Sequence, residues 1–253
     1  MISRARLKFL RSLHRKKARH QERLLLVEGL RLVEDAVVTG HAAEVLVGPR
    51  AAASPFIEAL RRTDLPVHDL GEGDVAALAD TRTPQGVFAL CRDPCRDLRA
   101  AGLPAGGVVL VADGVGEPGN LGALVRSAAA LGAAAVVTTP GTVEPTNPKA
   151  VRGSMGALFR LPVLRGEVAD LRRAGFHVLM ASIDGAPVDR LRSRPPRLAL
   201  VVGGEPRGVG AAAEAEADGE VAIPLEAGVE SLNVPVAAGI LLHALQTLPV
   251  EAR

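Results

Sequence analysis

From Val108 onward the chain repeats one pattern: a short, almost unbroken apolar run, then a longer stretch with helical spacing. The runs are "VVLVA" at 108–112, "AAVVTT" at 134–139, "HVLMAS" at 177–182, "LALVVG" at 198–203 and "EVAIPL" at 220–225. A strand that is apolar at every position must be covered on both faces, and helices between successive strands provide that cover. The pattern therefore predicts an α/β fold with a mostly parallel sheet. Ligands in such sheets bind beyond the carboxyl ends of the strands, so the loops after Ala112, Val202 and Leu225 are the places to look for chemistry.

Upstream, residues 24–91 alternate in the same way but more briefly, with strands at "LLLVE", "AAEVLVG", "LPVHDL" and "GVFALC" and short helical stretches between them. This predicts a smaller α/β unit. Residues 92–106, "RDPCRDLRAAGLPAG", carry two prolines and little apolar pattern and read as a linker to a second domain over 107–253.

Residues 1–23 hold nine Lys/Arg and one acid, Glu22, in a chain whose net charge is only +2; the remainder is net acidic. A basic arm on an acidic body points to a polyanion, most simply a nucleic-acid backbone, although a solvated helix face has the same pattern. Leu7, Leu10 and Leu13 predict an amphipathic helix there. With five Phe, no Tyr and no Trp, a surface of stacked aromatic platforms is not expected. No apolar run reaches the ~18 residues of a membrane span, and the basic start lacks the apolar core of a secretory signal. Cys91 and Cys95 have no second pair to complete a zinc site. A reduced cytoplasmic protein is expected.

The stretch "DGVGEPG" at 113–119 spells G-x-G-x-x-G after a strand, the fingerprint of a dinucleotide-binding turn. That motif needs a helix opening near the second glycine and an acid at the end of the next strand. Pro118 disfavours helical geometry at Glu117, Asn120 looks the better helix start, and the next strand ends in Thr138 and Thr139. A nicotinamide site is not expected.

Three loops carry polar residues instead. The first offers Asn120 and Arg126; the second, "LVVGGEPRGVG", sets Glu205 among glycines; the third holds Ser231 and Asn233 before a helix that can begin at Pro235. Capping and turn formation explain each of them singly. Together, "GEPGNLGALVRSAAALGAAAVV", "LALVVGGEPRGVG" and "IPLEAGVESLNVPVAAGILL" resemble the three motifs of the SpoU, or TrmH, family of RNA 2′-O-ribose methyltransferases of the SPOUT superfamily. "NPKAVRGSMGALFRLPV" at 147–163 resembles the segment the family carries between its first two motifs. Residues 24–91 look like its L30e-type substrate-binding domain.

The resemblance implies a C-terminal trefoil knot, S-adenosylmethionine bound by the knot loops, a homodimer formed through the catalytic domain, and an RNA substrate. No metal, membrane or DNA partner is expected. The resemblance places Asn120, Arg126, Glu205, Ser231 and Asn233 on the catalytic polar positions and Gly203, Ile223 and Leu232 on the cofactor positions. The family assigns activation of the 2′-hydroxyl to the residue matching Arg126. A guanidinium stays protonated, so phosphate binding and stabilisation of alkoxide charge are the simpler roles. Ribosomal RNA is the expected substrate. The alternatives are a tRNA methyltransferase and a non-catalytic RNA-binding or ribosome-assembly protein on the same scaffold.

Overall fold

The computed structural model describes residues 2–204 and 208–251. The chain forms two compact units, Met1–Pro94 with Thr146–Arg160, and Cys95–Pro145 with Leu161–Arg253.

The first unit opens with α1 (Arg4–Ser12) and α2 (Lys16–Glu22). The Ser3 side chain accepts the Arg6 N–H and starts α1. The leucine spacing puts Leu10 and Leu13 into a core cluster with Leu26, Leu46, Leu78 and Phe88. Each fully buried leucine contributes about 1.5–3 kcal/mol over an exposed one. The basic arm is thus two packed helices. There follow β1 (Leu24–Glu28), α3 (Leu30–Val38), β2 (Ala42–Val47), α4 (Pro55–Leu60), β3 (Val67–Asp69), α5 (Glu72–Leu78) and β4 (Val87–Arg92). The strands pair in the order β1-β4-β2-β3, with β2 and β3 parallel and the other pairs antiparallel.

In the second unit, β5 (Arg96–Asp97) and α6 (Leu98–Ala101) occupy the stretch read as a linker. That reading is corrected: β5 joins the edge of the large sheet beside β8, and Leu98 enters its core. β6 (Gly107–Asp113), α7 (Pro118–Ala130) and β7 (Ala135–Thr138) come next. The chain then contributes α8 (Pro148–Gly153) and a 3-10 turn (Ala157–Phe159) to the first unit. It resumes with β8 (Val163–Arg165), α9 (Val168–Arg173), β9 (His177–Pro187), β10 (Arg197–Gly203), α10 (Ala211–Glu214), β11 (Gly219–Ala222) and α11 (Val234–Thr247).

The seven strands lie in the order β11-β9-β10-β6-β7-β8-β5, and every neighbouring pair is parallel. Val109, Val111, Val178 and Val201 face a layer that includes Leu171 of α9 and Ala213 of α10. Alternation turns Leu110 and its equivalents to the opposite face, where α7 and α11 pack on each other and on β6. The unbroken apolar strands are thus buried on both sides, as their composition requires.

The segment 146–160, expected within the second domain, belongs to the first unit because its charged and glycine residues are tied there. Asp35 is 2% exposed, pairs with Arg160, and lies 3.6 Å from Arg31 Nε. Gly156 has φ +88°, and a Cβ there would stand 1.9 Å from Asp35 Oδ2, so backbone and space both demand glycine.

Candidate active site

The strand order of the second unit's sheet reverses at its centre. β6, β7 and β8 run out to one side, while β9, β10 and β11 fill the other. The crevice at the ends of β6 and β10 is therefore a topological switch point, where open α/β sheets bind ligands. Asp113 and Gly203 are register partners at those ends.

Asp113 organises the crevice. Its carboxylate accepts the Thr139 hydroxyl at 2.5 Å and the Gly210 N–H at 2.7 Å. Its carbonyl oxygen accepts the Gly204 N–H at 2.9 Å. One residue thus holds both ends of the loop that follows β10. Sequence reasoning missed Asp113, although an acid at the end of an apolar strand was a visible signal. Gly203 leaves that loop room: a Cβ on it would stand 2.0 Å from the Gly208 carbonyl carbon.

Beside the crevice lies a cleft of about 150 Å3 that opens to solvent. Gly203, Gly208, Ile223, Leu225, Ser231 and Leu232 line it. One wall comes from β9, whose pairing with β11 jumps from Met180↔Glu220 to Val221↔Ala186. The residues looped out there include Ala181, Ser182 and Ile183, which also line the cleft. Sequence reasoning missed this wall as well, because a bulge follows from register and not from residue type. Branched aliphatic side chains opposite bare glycine backbone suit a flat heteroaromatic ring with a polar edge, and the adenine of S-adenosylmethionine fits that description.

Two helix starts differ from expectation. α7 begins at Pro118, with Glu117 as its cap; the Glu117 side chain accepts the Asn120 N–H at 2.6 Å. Asn120 is therefore inside the first turn, and its side chain is released from capping. Proline is well suited to the first helical position, and the extended Glu117 before it is what an N-cap needs. The helix does open at the glycine-rich loop, so the argument against a dinucleotide site rests on the missing acid after β7. α11 begins at Val234 with Asn233 at the cap position, yet the Asn233 side chain makes no capping bond. Instead its Nδ2 donates to Asn120 Oδ1 at 3.4 Å. Residues 113 positions apart are thus brought together, and Asn233 stands between Leu232 and Val234 of the cleft lining.

Of the residues singled out from sequence, Gly203, Ile223, Ser231 and Leu232 meet in the cleft, and Asn120 and Asn233 meet beside it. Arg126 does not join them. It is exposed on α7, six positions beyond Asn120 and so about a third of a turn away around the helix axis. Glu205 lies outside the described residues.

Comparison with known proteins covers nearly the whole chain. A family model described as the SpoU rRNA Methylase family matches residues 107–243, and one described as an MRM3-like substrate binding domain matches residues 4–89. The 23S rRNA (guanosine(2553)-2′-O)-methyltransferase RlmP of Bacillus subtilis is 36% identical over 93% of this chain and 94% of its own length. The 23S rRNA (adenosine(1067)-2′-O)-methyltransferase of Streptomyces azureus is 33% identical, over 76% of this chain and 75% of its own. Among solved structures, the SpoU methyltransferase AviRb from Streptomyces viridochromogenes, in complex with AdoMet, superposes with a TM-score of 0.85. It is 26% identical and covers 96% of this chain and 97% of its own.

Proposed function

Because this chain belongs to the SpoU rRNA methylase family, we propose that it methylates a ribose 2′-hydroxyl of large-subunit ribosomal RNA, with S-adenosylmethionine as methyl donor. It is an RNA ribose-2′-O-methyltransferase, the activity named for its relatives from Bacillus subtilis and Streptomyces azureus. Those two relatives act on 23S rRNA but at different nucleotides, so the target nucleotide does not carry over from either. The observation that carries the reading is the pairing of Asn120 with Asn233 beside a cleft lined by Gly203, Ile223, Ser231 and Leu232.

When bound, S-adenosylmethionine supplies an electrophilic sulfonium methyl group. Ile223 and Leu232 would hold its adenine between aliphatic surfaces, and backbone amides after Gly203 would meet the ring edge. Asn120, Ser231 and Asn233 offer amide and hydroxyl groups that would position the ribose and its neighbouring phosphate. Holding the reacting hydroxyl in line contributes up to about 7–11 kcal/mol in favourable cases. Arg126 would bind phosphate and stabilise the negative charge that grows on the 2′-oxygen, and Glu205 would orient that guanidinium or take up the proton through water. In this reading a homodimer forms through the catalytic domain. Two observations support it: Arg126 is exposed and apart from its own chain's asparagine pair, and Val236 and Ile240 of α11 are 50% and 41% exposed. The trefoil knot implied by the family would lie in the loops that follow β10 and β11.

The test is incubation of unmodified 23S rRNA and total tRNA with the purified protein and tritium-labelled S-adenosylmethionine. Label in 23S rRNA, surviving as an alkali-resistant dinucleotide, is expected; Arg126→Ala should lose most of the single-turnover rate at saturating RNA. Label confined to tRNA would overturn the substrate. An undiminished Arg126→Ala rate would remove that residue from the reaction.

A further inference from the structure

Lys8, Arg11, Ser12, His14 and Arg15 line a shallow cleft on α1 and the turn after it, and we propose that this cleft docks the phosphate backbone of the RNA substrate. The proposal presupposes the RNA substrate argued above and adds the surface that grips it.

The nine cations of residues 1–23 divide into two kinds. Arg19 is 4% exposed, and its guanidinium donates to the Leu13 and His14 carbonyls at 2.8 Å each, closing the turn between α1 and α2. Arg6 is paired with Glu44 at 2.6 Å. These two serve the fold. Arg4, Lys8, Arg11, Arg15, Lys16, Lys17 and Arg23 are exposed, and their side chains make no hydrogen bond or ion pair with another described residue. Arg4, Lys8 and Arg11 recur at intervals of four and three, which aligns them along one stripe of α1. Arg15 continues it past the helix end.

The scaffold beneath the stripe is rigid. Leu10 and Leu13 are buried in the unit's core, and His14 Nε2 lies 2.9 Å from the Leu78 carbonyl oxygen. A cluster of like charges on a fixed support is destabilising until an anion neutralises it. A polyphosphate backbone does so while releasing its own counterions. A membrane surface is the weaker candidate, because an interfacial helix needs a free apolar face and that of α1 is already in the core. Over nine residues α1 is about 13 Å long, enough to follow several consecutive phosphates.

The experiment compares the full-length triple variant K8Q/R11Q/R15Q with a charge-matched control, R62Q/R190Q/R192Q, whose three arginines are also exposed. Binding of unmodified 23S rRNA transcript is measured across a salt series, alongside S-adenosylmethionine affinity and methylation kinetics. Each lost phosphate contact removes about 0.7–0.9 from the slope of log K against log salt. The cleft variant should therefore lose about 2–3 in slope and about 10–100-fold in RNA affinity. KM for RNA should rise, while kcat and cofactor affinity stay at wild-type values. An unchanged slope, or an equal loss in the control, would overturn the docking site. Wild-type protein that binds the transcript but methylates no RNA would instead overturn the methyltransferase reading, and the slope comparison would still decide the cleft.

Discussion

Replacing Asp113 with alanine removes a carboxylate that accepts hydrogen bonds from the Thr139 hydroxyl and the Gly210 N–H. The two donors fare differently. Gly210 is exposed, so its N–H is rehydrated; Thr139 is 7% exposed and its hydroxyl loses its good acceptor. A hydrogen bond to a charged group contributes about 1.5–3 kcal/mol, so the stability loss should fall in that range and come mostly from Thr139. The larger consequence is local. Without the Gly210 bond, the loop after β10 is released at one end, and Gly208 of that loop lines the cleft together with Gly203 at the end of β10. S-adenosylmethionine affinity should fall by about 10–100-fold, equivalent to about 1.4–2.8 kcal/mol. Asparagine is the informative control. Its oxygen can face the Gly210 N–H while its amide donates to the Thr139 hydroxyl, so Asp113→Asn should keep most of the affinity. Calorimetric titration of both variants with S-adenosylmethionine, beside urea denaturation, separates the effects. If Asp113→Ala loses stability but binds the cofactor within twofold of wild type, Asp113 is a fold element and does not shape the site.

Gly203→Ala places a methyl group 2.0–2.2 Å from the Gly208 and Val209 backbone, a clash that no side-chain rotation relieves. It should cost about 1–3 kcal/mol in urea denaturation and abolish measurable cofactor binding; unchanged binding would remove Gly203 from the site. Asp218 contributes to acid stability in the second unit. Burial pushes its pKa up, but the Val178 N–H, Arg172 and His177 outweigh that and hold it below the ordinary carboxylate value. Its stabilisation is therefore full above the unfolded pKa of about 3.9 and is lost as pH falls through the lower folded value. Asp218→Asn should show a smaller drop in urea midpoint on acidification than wild type, and an equal drop would refute the assignment.

The long elements were legible because they repeat a local signal. The apolar runs at 108–112 and 198–203 have one interpretation, and β6 and β10 stand where they predict. β5 and β8, two and three residues long, carry no readable period and emerge only from pairing with neighbours. The cap of α7 was misplaced by three residues because Asn120 has the chemistry of a cap, whereas proline at the first helical position decides it. The candidate site was legible as a list: Gly203, Ile223, Ser231 and Leu232 were all named from two separated motifs and share one cleft. Asp113 and the Ala181–Ile183 wall were not, since their roles lie in a hydrogen bond across the sheet and a slip in register.

The sequence by itself determined the α/β class, the division into a small and a large sheet, the amphipathic basic N-terminus and the motifs that name the chemistry. Each of these is written within a few turns of helix or one strand, where periodicity and residue type act directly. Tertiary structure decided the rest. It released Asn120 from a cap and set it against Asn233, made Asp113 the anchor of the loop after β10, and sent residues 146–160 to the first unit. It also divided the N-terminal cations into those that hold the fold and those left for a partner. These outcomes depend on which distant groups satisfy each buried donor, acceptor and charge. That matching is settled by packing over the whole unit and leaves no local trace in the chain.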